Sequence, residues 1–248
     1  MSTASIFSRQ VAELNSQSTQ AVLFDLDGTL IDSVPDLTAA IDEMLESIGK
    51  APAGEVKVNR WVGNGAAALV KRALADRDDG DRDDGDALHN ARYSNEAYSS
   101  AYSVFERAYA QRLTQATGLY DGVLSVLSAL ISADIKLGLI TNKPRQFTLP
   151  LLKALDIDHY FSDVLCGDDL EFKKPHPLPV LTALKNLSVS AQQAIMVGDS
   201  ISDIKSATAA GVKTVAVTYG YNHGIPITDV RNDCQANVYI DHIKQLIS

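Results

Sequence analysis

The prediction of the fold begins with residues 21 to 33, which read Ala21-Val22-Leu23-Phe24-Asp25-Leu26-Asp27-Gly28-Thr29-Leu30-Ile31-Asp32-Ser33. It begins as an apolar run that favours a β-strand, and two aspartates follow directly. In an extended chain, residues i and i+2 point to the same face, so Asp25 and Asp27 converge on one small volume. Two carboxylates this close repel each other unless a cation or a proton lies between them. The alternative is a strand that ends in an ordinary Asp-Gly turn.

Length, composition and charge are typical of a globular protein, since 248 residues suffice for a buried core and a smaller second module. The 22 basic and 31 acidic residues give a net charge of -9, which argues against non-specific binding to nucleic acid or to an anionic membrane. No apolar run approaches the length of a membrane span. The two cysteines, Cys166 and Cys234, have no metal-type spacing, so we expect a cytoplasmic protein.

The order of predicted elements indicates an α/β core with an insertion. From Gly118 onward, strands (136–141, 163–166, 194–198, 214–217 and 237–240) alternate with helices (122–132, 147–155, 177–187 and 200–210). Such alternation predicts parallel strands with crossover helices, which is a doubly wound, Rossmann-like sheet. Residues 34–117 read as helical only, and we expect them to form a cap inserted after the first strand. The core then comprises residues 21–33 and 118–248, and residues 1–20 form a loose or partly helical lead-in.

The predicted cap carries three further patterns. Its first helix begins near Ser33 or Asp36, either of which can cap it, and ends at Gly49. A later helix bears an aromatic stripe, which favours packing between helices over a ligand pocket; its members are Tyr98, Tyr102, Phe105, Tyr109 and Leu113. Residues 76–86 repeat the unit Arg-Asp-Asp-Gly-Asp, but no glutamate closes a calcium loop at the twelfth position, so a solvated loop is the better interpretation.

Polar side chains follow the predicted strands where each strand ends. Asp25 and Asp27 follow the first strand, Thr141-Asn142 the next, and Asp199 and Asp203 a later one, while Lys174 lies in a loop between strands. Ligands of an open parallel sheet bind at the carboxyl ends of its strands. Clustered carboxylates bind a hard cation such as Mg²⁺, and a carboxylate can attack phosphorus. Thr141, Asn142 and Lys174 are suited to holding phosphoryl oxygens.

These residues resemble the four motifs of the haloacid dehalogenase-like phosphatase superfamily, in the right order. The motifs are Asp25-Leu26-Asp27-Gly28-Thr29, Thr141, Lys174, and Gly198-Asp199-Ser200 followed by Asp203. Within the superfamily the chain looks most like the bacterial phosphoglycolate phosphatases, through Val62-Gly63-Asn64-Gly65-Ala66, Thr141-Asn142-Lys143-Pro144 and Thr218-Tyr219-Gly220-Tyr221-Asn222, among others. It departs from many of them at Ile201-Ser202, where they carry Arg-Asn.

The resemblance implies an Mg²⁺-dependent phosphatase of a small phosphomonoester, with 2-phosphoglycolate as the expected substrate. Asp25 would be the nucleophile that forms an aspartyl-phosphate, and Asp27 the acid and base. Mg²⁺ would be held by Asp25, the main-chain carbonyl of Asp27 and Asp199, with Asp203 in or next to its outer shell. Thr141, Asn142 and Lys174 would bind the phosphoryl oxygens. Gly63, Asn64 and Gly65 would approach the organic part of the substrate, in a chain that is a monomer or a homodimer.

Two alternatives remain open at this stage. The first is a related capped enzyme, either a phosphatase of another phosphomonoester or a phosphoglucomutase-like transferase acting on a sugar phosphate; Thr29 favours hydrolysis because the comparable mutases usually carry valine there. The second is a phospho-accepting module similar to response-regulator receivers. Those modules are about half this length and lack an Asp-x-Asp pair, so we place this alternative last.

Overall fold

A computed structural model describes residues 6–14, 19–76, 94–230 and 234–247 of the chain. Its strands in chain order are β1 (Ala21–Phe24), β2 (Ile31–Asp32), β3 (Gly118–Leu119), β4 (Lys136–Ile140), β5 (Asp163–Leu165), β6 (Ala194–Gly198), β7 (Lys213–Val217) and β8 (Val238–Ile240). Six of them form one sheet in the order β5-β4-β1-β6-β7-β8, and all their pairings are parallel. The predicted doubly wound sheet is therefore confirmed.

Strand β1 lies in the middle of the sheet because it is apolar on both faces. All four of its residues are buried. Val22 and Phe24 belong to the hydrophobic core on one side of the sheet, and Ala21 and Leu23 to the core on the other. Strands β4 and β6 flank β1, and the chain order reverses there, which is the topological switch point where open parallel sheets bind ligands.

The helices fall into two groups. Helix α1 (Arg9–Ala12) is one short turn, and α2 (Val34–Ser47), α3 (Glu55–Trp61), α4 (Ala66–Ala75) and α5 (Asn95–Ala110) lie in the insertion. Helices α6 (Val123–Ser132), α7 (Arg145–Ala154), α8 (Leu178–Leu187) and α9 (Ile201–Ala209) alternate with the core strands. The cap helices pack around a hydrophobic cluster of their own, which contains Met44, Trp61 and Phe105. The helical cap after the first strand is thus present.

A short antiparallel ribbon joins the cap to the core and was not predicted. It pairs Ile31 with Leu119 and Asp32 with Gly118, at the two points where the chain leaves and re-enters the core. Two-residue strands leave no recognisable pattern in a sequence. The exact division at residues 34 and 117 stays a prediction, although the ribbon lies beside both limits. Helix α3 was not identified as a separate element, because its 7 residues contain only two buried apolar positions, Val58 and Trp61.

The capping of helix α2 differs from the prediction. Ser33 occupies the N-cap position but makes no side-chain capping bond; its hydroxyl donates to Asp27 instead. The Asp36 carboxylate accepts hydrogen bonds from the main-chain N–H groups of Ala116 and Thr117. Both side chains are thus used for longer-range contacts, because stronger polar partners lie close by.

The ends of the chain pack against each other. In the lead-in, Phe7 and Val11 are buried in the core, and the N–H of Ser8 donates to the carbonyl of Leu246 at 3.2 Å. Of the acidic repeat, only Asp76 lies within the described residues, and its carboxylate pairs with Lys57 at 2.6 Å. None of the helices in the described ranges is both long and apolar enough to cross a membrane.

Candidate active site

The carboxyl ends of β1, β4 and β6 bring the predicted site residues together. Asp25 follows β1 directly, and its N–H donates to the carbonyl of Val197 in β6 at 3.0 Å. Thr141 follows β4, and Asp199 follows β6. Asp203 lies in the first turn of α9. Since the strands are parallel and adjacent, residues that are far apart in sequence meet at one edge of the sheet.

Three buried carboxylates form what we call the acidic rim, namely Asp25, Asp199 and Asp203. One ligand oxygen from each lies within 4.8 Å of the others, so a single cation can contact all three. Asp199 accepts from the Thr29 hydroxyl at 3.1 Å and from the N–H of Tyr221 at 2.5 Å. These bonds fix its orientation, and each carboxylate oxygen keeps a further lone pair for a metal.

Lys174 bridges two acids of the rim. Its ammonium lies 2.6 Å from an oxygen of Asp25, 2.6 Å from an oxygen of Asp203 and 2.7 Å from the carbonyl of Ile140. Its side chain is only 3% exposed, so the contacts are shielded from solvent. Asp203 uses its other oxygen to accept from the N–H and hydroxyl of Ser200, in a capping box at the start of α9. Asp203 therefore fixes the position of Lys174.

Burial dominates the electrostatics of the rim. It raises the pKa of Asp25 to about 7; the Lys174 ammonium opposes the rise, and the Asp203 carboxylate adds to it. Burial, followed by the charges of Asp25 and Asp203, also raises the pKa of Asp199 well above its usual value. For Lys174, burial lowers the pKa, but the Asp203 and Asp25 carboxylates outweigh it and raise the pKa above its usual value. If all three carboxylates are ionised, one ammonium only partly compensates their charge, so a proton or a cation is favoured at the rim.

Asp27 lies beside the rim in a different environment. One of its oxygens accepts from the Ser33 hydroxyl at 2.5 Å and from the Lys143 ammonium at 2.8 Å. Lys143 is buried, and its ammonium also lies over the Tyr109 ring, 4.8 Å from the centroid. Burial lowers the pKa of Lys143, but the Asp27 carboxylate outweighs it and raises the pKa above its usual value. Asp25 and Asp27 therefore each have a buried lysine partner.

The predicted phosphate-binding residues after β4 are both buried. The Thr141 hydroxyl accepts from the N–H of Lys143 at 3.1 Å, which leaves its own proton to donate. The Asn142 amide donates to the carbonyls of Gly63 and Lys174, each at 3.0 Å. An amide has two hydrogens, so a phosphoryl contact by this side chain requires one of those bonds to break. Here Asn142 connects the cap to the core.

The cap loop, residues 61–65, lies against the core rim. Besides the contact of Gly63 with Asn142, the carbonyl of Asn64 accepts from the Lys173 ammonium at 2.7 Å. Arg72 holds the loop from the cap side, because its guanidinium donates to the carbonyl of Trp61 and to the side-chain oxygen of Asn64, both at 2.7 Å. The predicted loop residues are therefore at the cap–core boundary.

A cavity of about 40 Å³ lies between the cap and the core. The core contributes Asp25, Asp27 and Lys143, and the cap loop contributes Gly63 and Gly65. The remaining surface is largely apolar, from Leu37, Val62, Ala66, Leu69, Phe105, Tyr109, Pro144 and Phe147. The aromatic stripe of α5 thus serves two purposes: Phe105 and Tyr109 pack in the cap cluster and also line the cavity.

Three residues that are buried near these acids were not predicted as site residues, namely Lys143, Tyr109 and Tyr221. Lys143 stood beside Thr141 and Asn142 in a motif that the resemblance had already marked. Tyr109 was assigned to packing because its helical spacing matched the aromatic stripe. Tyr221 donates to Asp32 through its hydroxyl at 2.5 Å and to Asp199 through its N–H. Tyr221 is far from Asp32 in the sequence, and only the folded chain brings it next to the start of the cap.

Comparisons with known proteins identify the family of this chain. A family model described as haloacid dehalogenase-like hydrolase matches residues 22–217. The phosphoglycolate phosphatase of Nitrosococcus oceani is 43% identical over 92% of this chain and 96% of its own length. Phosphoglycolate phosphatase 1 of Pseudomonas aeruginosa is 42% identical over 91% of this chain and 78% of its own length.

A solved structure has the same architecture. The crystal structure of a predicted phosphoglycolate phosphatase from Haemophilus somnus superposes with a TM-score of 0.81 and 32% identity, covering 92% of this chain and 96% of that one. The resemblance stated from the motifs is confirmed, and so is the enzyme class, a phosphoric monoester hydrolase that is similar to phosphoglycolate phosphatases. The chain belongs to the haloacid dehalogenase-like hydrolase family.

Proposed function

We propose that this protein is an Mg²⁺-dependent phosphatase that hydrolyses 2-phosphoglycolate to glycolate and phosphate through an aspartyl-phosphate on Asp25. The observation that carries the proposal is the acidic rim, where Asp25 lies next to two further acids and the Lys174 ammonium at the switch point of the sheet. A nucleophile, a cation site and a phosphate-binding cation are the parts that phosphoryl transfer requires.

The rim fits a divalent cation. Three buried carboxylates lie close together, and the raised pKa values of Asp25 and Asp199 express the energetic cost of their negative charges in the absence of a cation. Asp25, Asp199 and the main-chain carbonyl of Asp27 would hold Mg²⁺, with Asp203 in or next to its outer shell. When bound, the ion keeps Asp25 ionised and neutralises charge on the phosphoryl oxygens.

The protein groups then divide the reaction between them. A carboxylate oxygen of Asp25 forms a bond to phosphorus while the bond from phosphorus to the ester oxygen breaks. Asp27, in its protonated form, gives its proton to that leaving oxygen. The resulting carboxylate removes a proton from the water that hydrolyses the aspartyl-phosphate. The Thr141 hydroxyl donates to a phosphoryl oxygen. The Lys174 ammonium attracts the phosphoryl oxygens through its charge and donates to one of them when its contact with Asp25 opens. The Asn142 amide does the same when one of its two present bonds breaks.

The size of the cavity supports a small substrate. The cavity between the cap and the core is small, about 40 Å³, and such a space suits a two-carbon acid better than a sugar. The two relatives described above are named phosphoglycolate phosphatases, which also supports a small substrate. These two observations favour 2-phosphoglycolate over the sugar phosphates of the phosphoglucomutase-like alternative. The receiver-like alternative is set aside because the enzyme class is that of a hydrolase.

A phosphate-release assay over small phosphomonoesters tests the proposal, with Mg²⁺ or with EDTA. We expect the highest kcat/KM for 2-phosphoglycolate, loss of turnover in EDTA, and recovery when Mg²⁺ is restored. Asp25→Asn lacks the nucleophile, so its kcat falls by at least about 10³-fold. Activity retained by that variant contradicts the mechanism, whereas a preference for a sugar phosphate contradicts only the substrate.

A further inference from the structure

The cavity contains a cation from the core that does not contact the phosphoryl group in the proposed reaction. Among the described residues that line the cavity, the positively charged one is Lys143. Its ammonium has three hydrogens, and its hydrogen bond to Asp27 at 2.8 Å uses one of them. The surrounding wall is mostly apolar, so an anion that entered this space would meet Lys143 with little competition from water.

Tyr109 supplies an independent observation beside the same cation. Its side chain is about 1% exposed, and its hydroxyl lies next to the Lys143 ammonium but makes no hydrogen bond of ordinary length among the described residues. A buried hydroxyl without a partner is costly, and such a group indicates a ligand or a bound water. Because the Lys143 ammonium lies over the Tyr109 ring, the hydroxyl and the ammonium are close enough to bind one small group together.

The position of Lys143 relative to Asp27 limits what that group can be. In the proposed reaction Asp27 protonates the ester oxygen, so a group bound by Lys143 lies only a bond or two from that oxygen. A carboxylate on the carbon next to the ester oxygen fits this spacing, and an anion at the far end of a sugar does not.

We propose that Lys143 and Tyr109 form a carboxylate-binding site that selects 2-phosphoglycolate from uncharged phosphomonoesters. The inference rests on the proposed function and deepens it. Lys143 contacts the substrate carboxylate through its ammonium and Tyr109 through its hydroxyl, while Lys174 remains with the phosphoryl group. Lys143 thereby determines specificity in addition to its contact with Asp27.

The experiment compares two substrates that differ only at the carboxylate, 2-phosphoglycolate and 2-hydroxyethyl phosphate. In Lys143→Met the contact with Asp27 is also lost, so kcat/KM falls for both. The selectivity, meaning the ratio of the two kcat/KM values, falls by about 100-fold because only one substrate loses a charged hydrogen bond. Most of the additional loss is in KM for 2-phosphoglycolate.

Tyr109→Phe keeps the test usable if Lys143→Met does not fold. It removes only a hydroxyl and keeps the aromatic ring beside Lys143, and we expect selectivity to fall by about 3- to 10-fold. Lys173→Met is the matched control, because it removes a lysine that touches the cap loop at Asn64 but does not line the cavity. Its selectivity stays at the wild-type value.

The possible results separate this inference from the proposed function. If the wild type prefers 2-phosphoglycolate and both variants keep the wild-type selectivity, the carboxylate site is wrong and the proposed function stands. Equal losses on both substrates mean that Lys143 only positions Asp27, which also overturns the inference. If the wild type hydrolyses both substrates without preference, the proposed substrate is wrong, and the carboxylate site falls with it.

Discussion

The two halves of the active site each contain one buried lysine, but the two lysines have different surroundings. Lys174 lies between two carboxylates, those of Asp25 and Asp203, each at 2.6 Å. Lys143 faces one carboxylate, that of Asp27, and an aromatic ring. The first ammonium thus balances the charge of the acidic rim, whereas the second has hydrogens available for another anion. In the proposed reaction Lys174 serves phosphoryl transfer, and in the proposed carboxylate site Lys143 serves substrate selection.

Among the substitutions that test the difference between the two lysines, the removal of Lys174 is expected to have the largest effect on activity and stability. In Lys174→Met two buried carboxylates lose their shared cation, so the rim repels an incoming phosphate. We expect kcat/KM for 2-phosphoglycolate to fall by about 10³-fold and the free energy of unfolding to fall by about 3–5 kcal/mol. Steady-state kinetics and urea unfolding with Mg²⁺ present measure both changes.

The adjacent Lys173 provides the control for that prediction. It is exposed, and its ammonium contacts the carbonyl of Asn64. Lys173→Met removes the same charge one residue away, and we expect kcat/KM within about threefold of the wild type, as for most exposed substitutions. Similar losses in the two variants contradict the special position that we assign to Lys174.

The core half of the site could be predicted from the sequence because its residues follow strands. Asp25, Thr141 and Asp199 each come at the end of an apolar run, and parallel strands bring such ends to one edge. Their convergence therefore required only the order of the elements. The same logic located Asp203, since it lies three residues into the helix that follows Ser200.

The cap half could not be predicted in this way. The residues that meet there, Lys143 and Tyr109, come from a core loop and from a cap helix, and their contact depends on how the cap lies on the core. Helical periodicity indicates which face of α5 is buried, but not which neighbour it faces. Likewise, the hydrogen bond that the Asn142 amide donates to Gly63 could not be predicted from the motif of Asn142, because Gly63 belongs to the cap loop.

The contact between the cap loop and the core is expected to be lost when Gly65 is substituted. Its backbone φ is +88°, and a Cβ atom there would lie 2.7 Å from the main-chain oxygen of Asn142. Gly65→Ala therefore pushes the cap loop away from the core and misplaces the cap side of the cavity. We expect kcat/KM to fall by about 10- to 100-fold, measured with 2-phosphoglycolate.

Gly54→Ala is the matched control for the cap loop. Gly54 also lies in the cap and has a φ of +74°, but a Cβ atom there would meet nothing within 4 Å. Both alanines carry the strain of a positive φ, which costs about 1–3 kcal/mol of stability in each. Only Gly65→Ala meets the core. If Gly54→Ala loses as much activity, the effect comes from backbone strain, and the contact with Asn142 is unimportant for turnover.

The smallest expected effect is on the pH dependence of stability in the absence of metal, which reports on the charge of Asp25 in the rim. Burial raises the pKa of Asp25 to about 7 in the folded chain, so its ionisation opposes folding, and stability is lost as the pH rises toward that value. Asp25→Asn cannot ionise there. In EDTA the free energy of unfolding of Asp25→Asn, measured relative to the wild type, should therefore rise by about 1–2 kcal/mol between about pH 5 and pH 7. Urea unfolding at several pH values measures this gain. Mg²⁺ should reverse it by stabilising the wild type more, and parallel pH curves in EDTA would mean that Asp25 ionises freely in the folded protein.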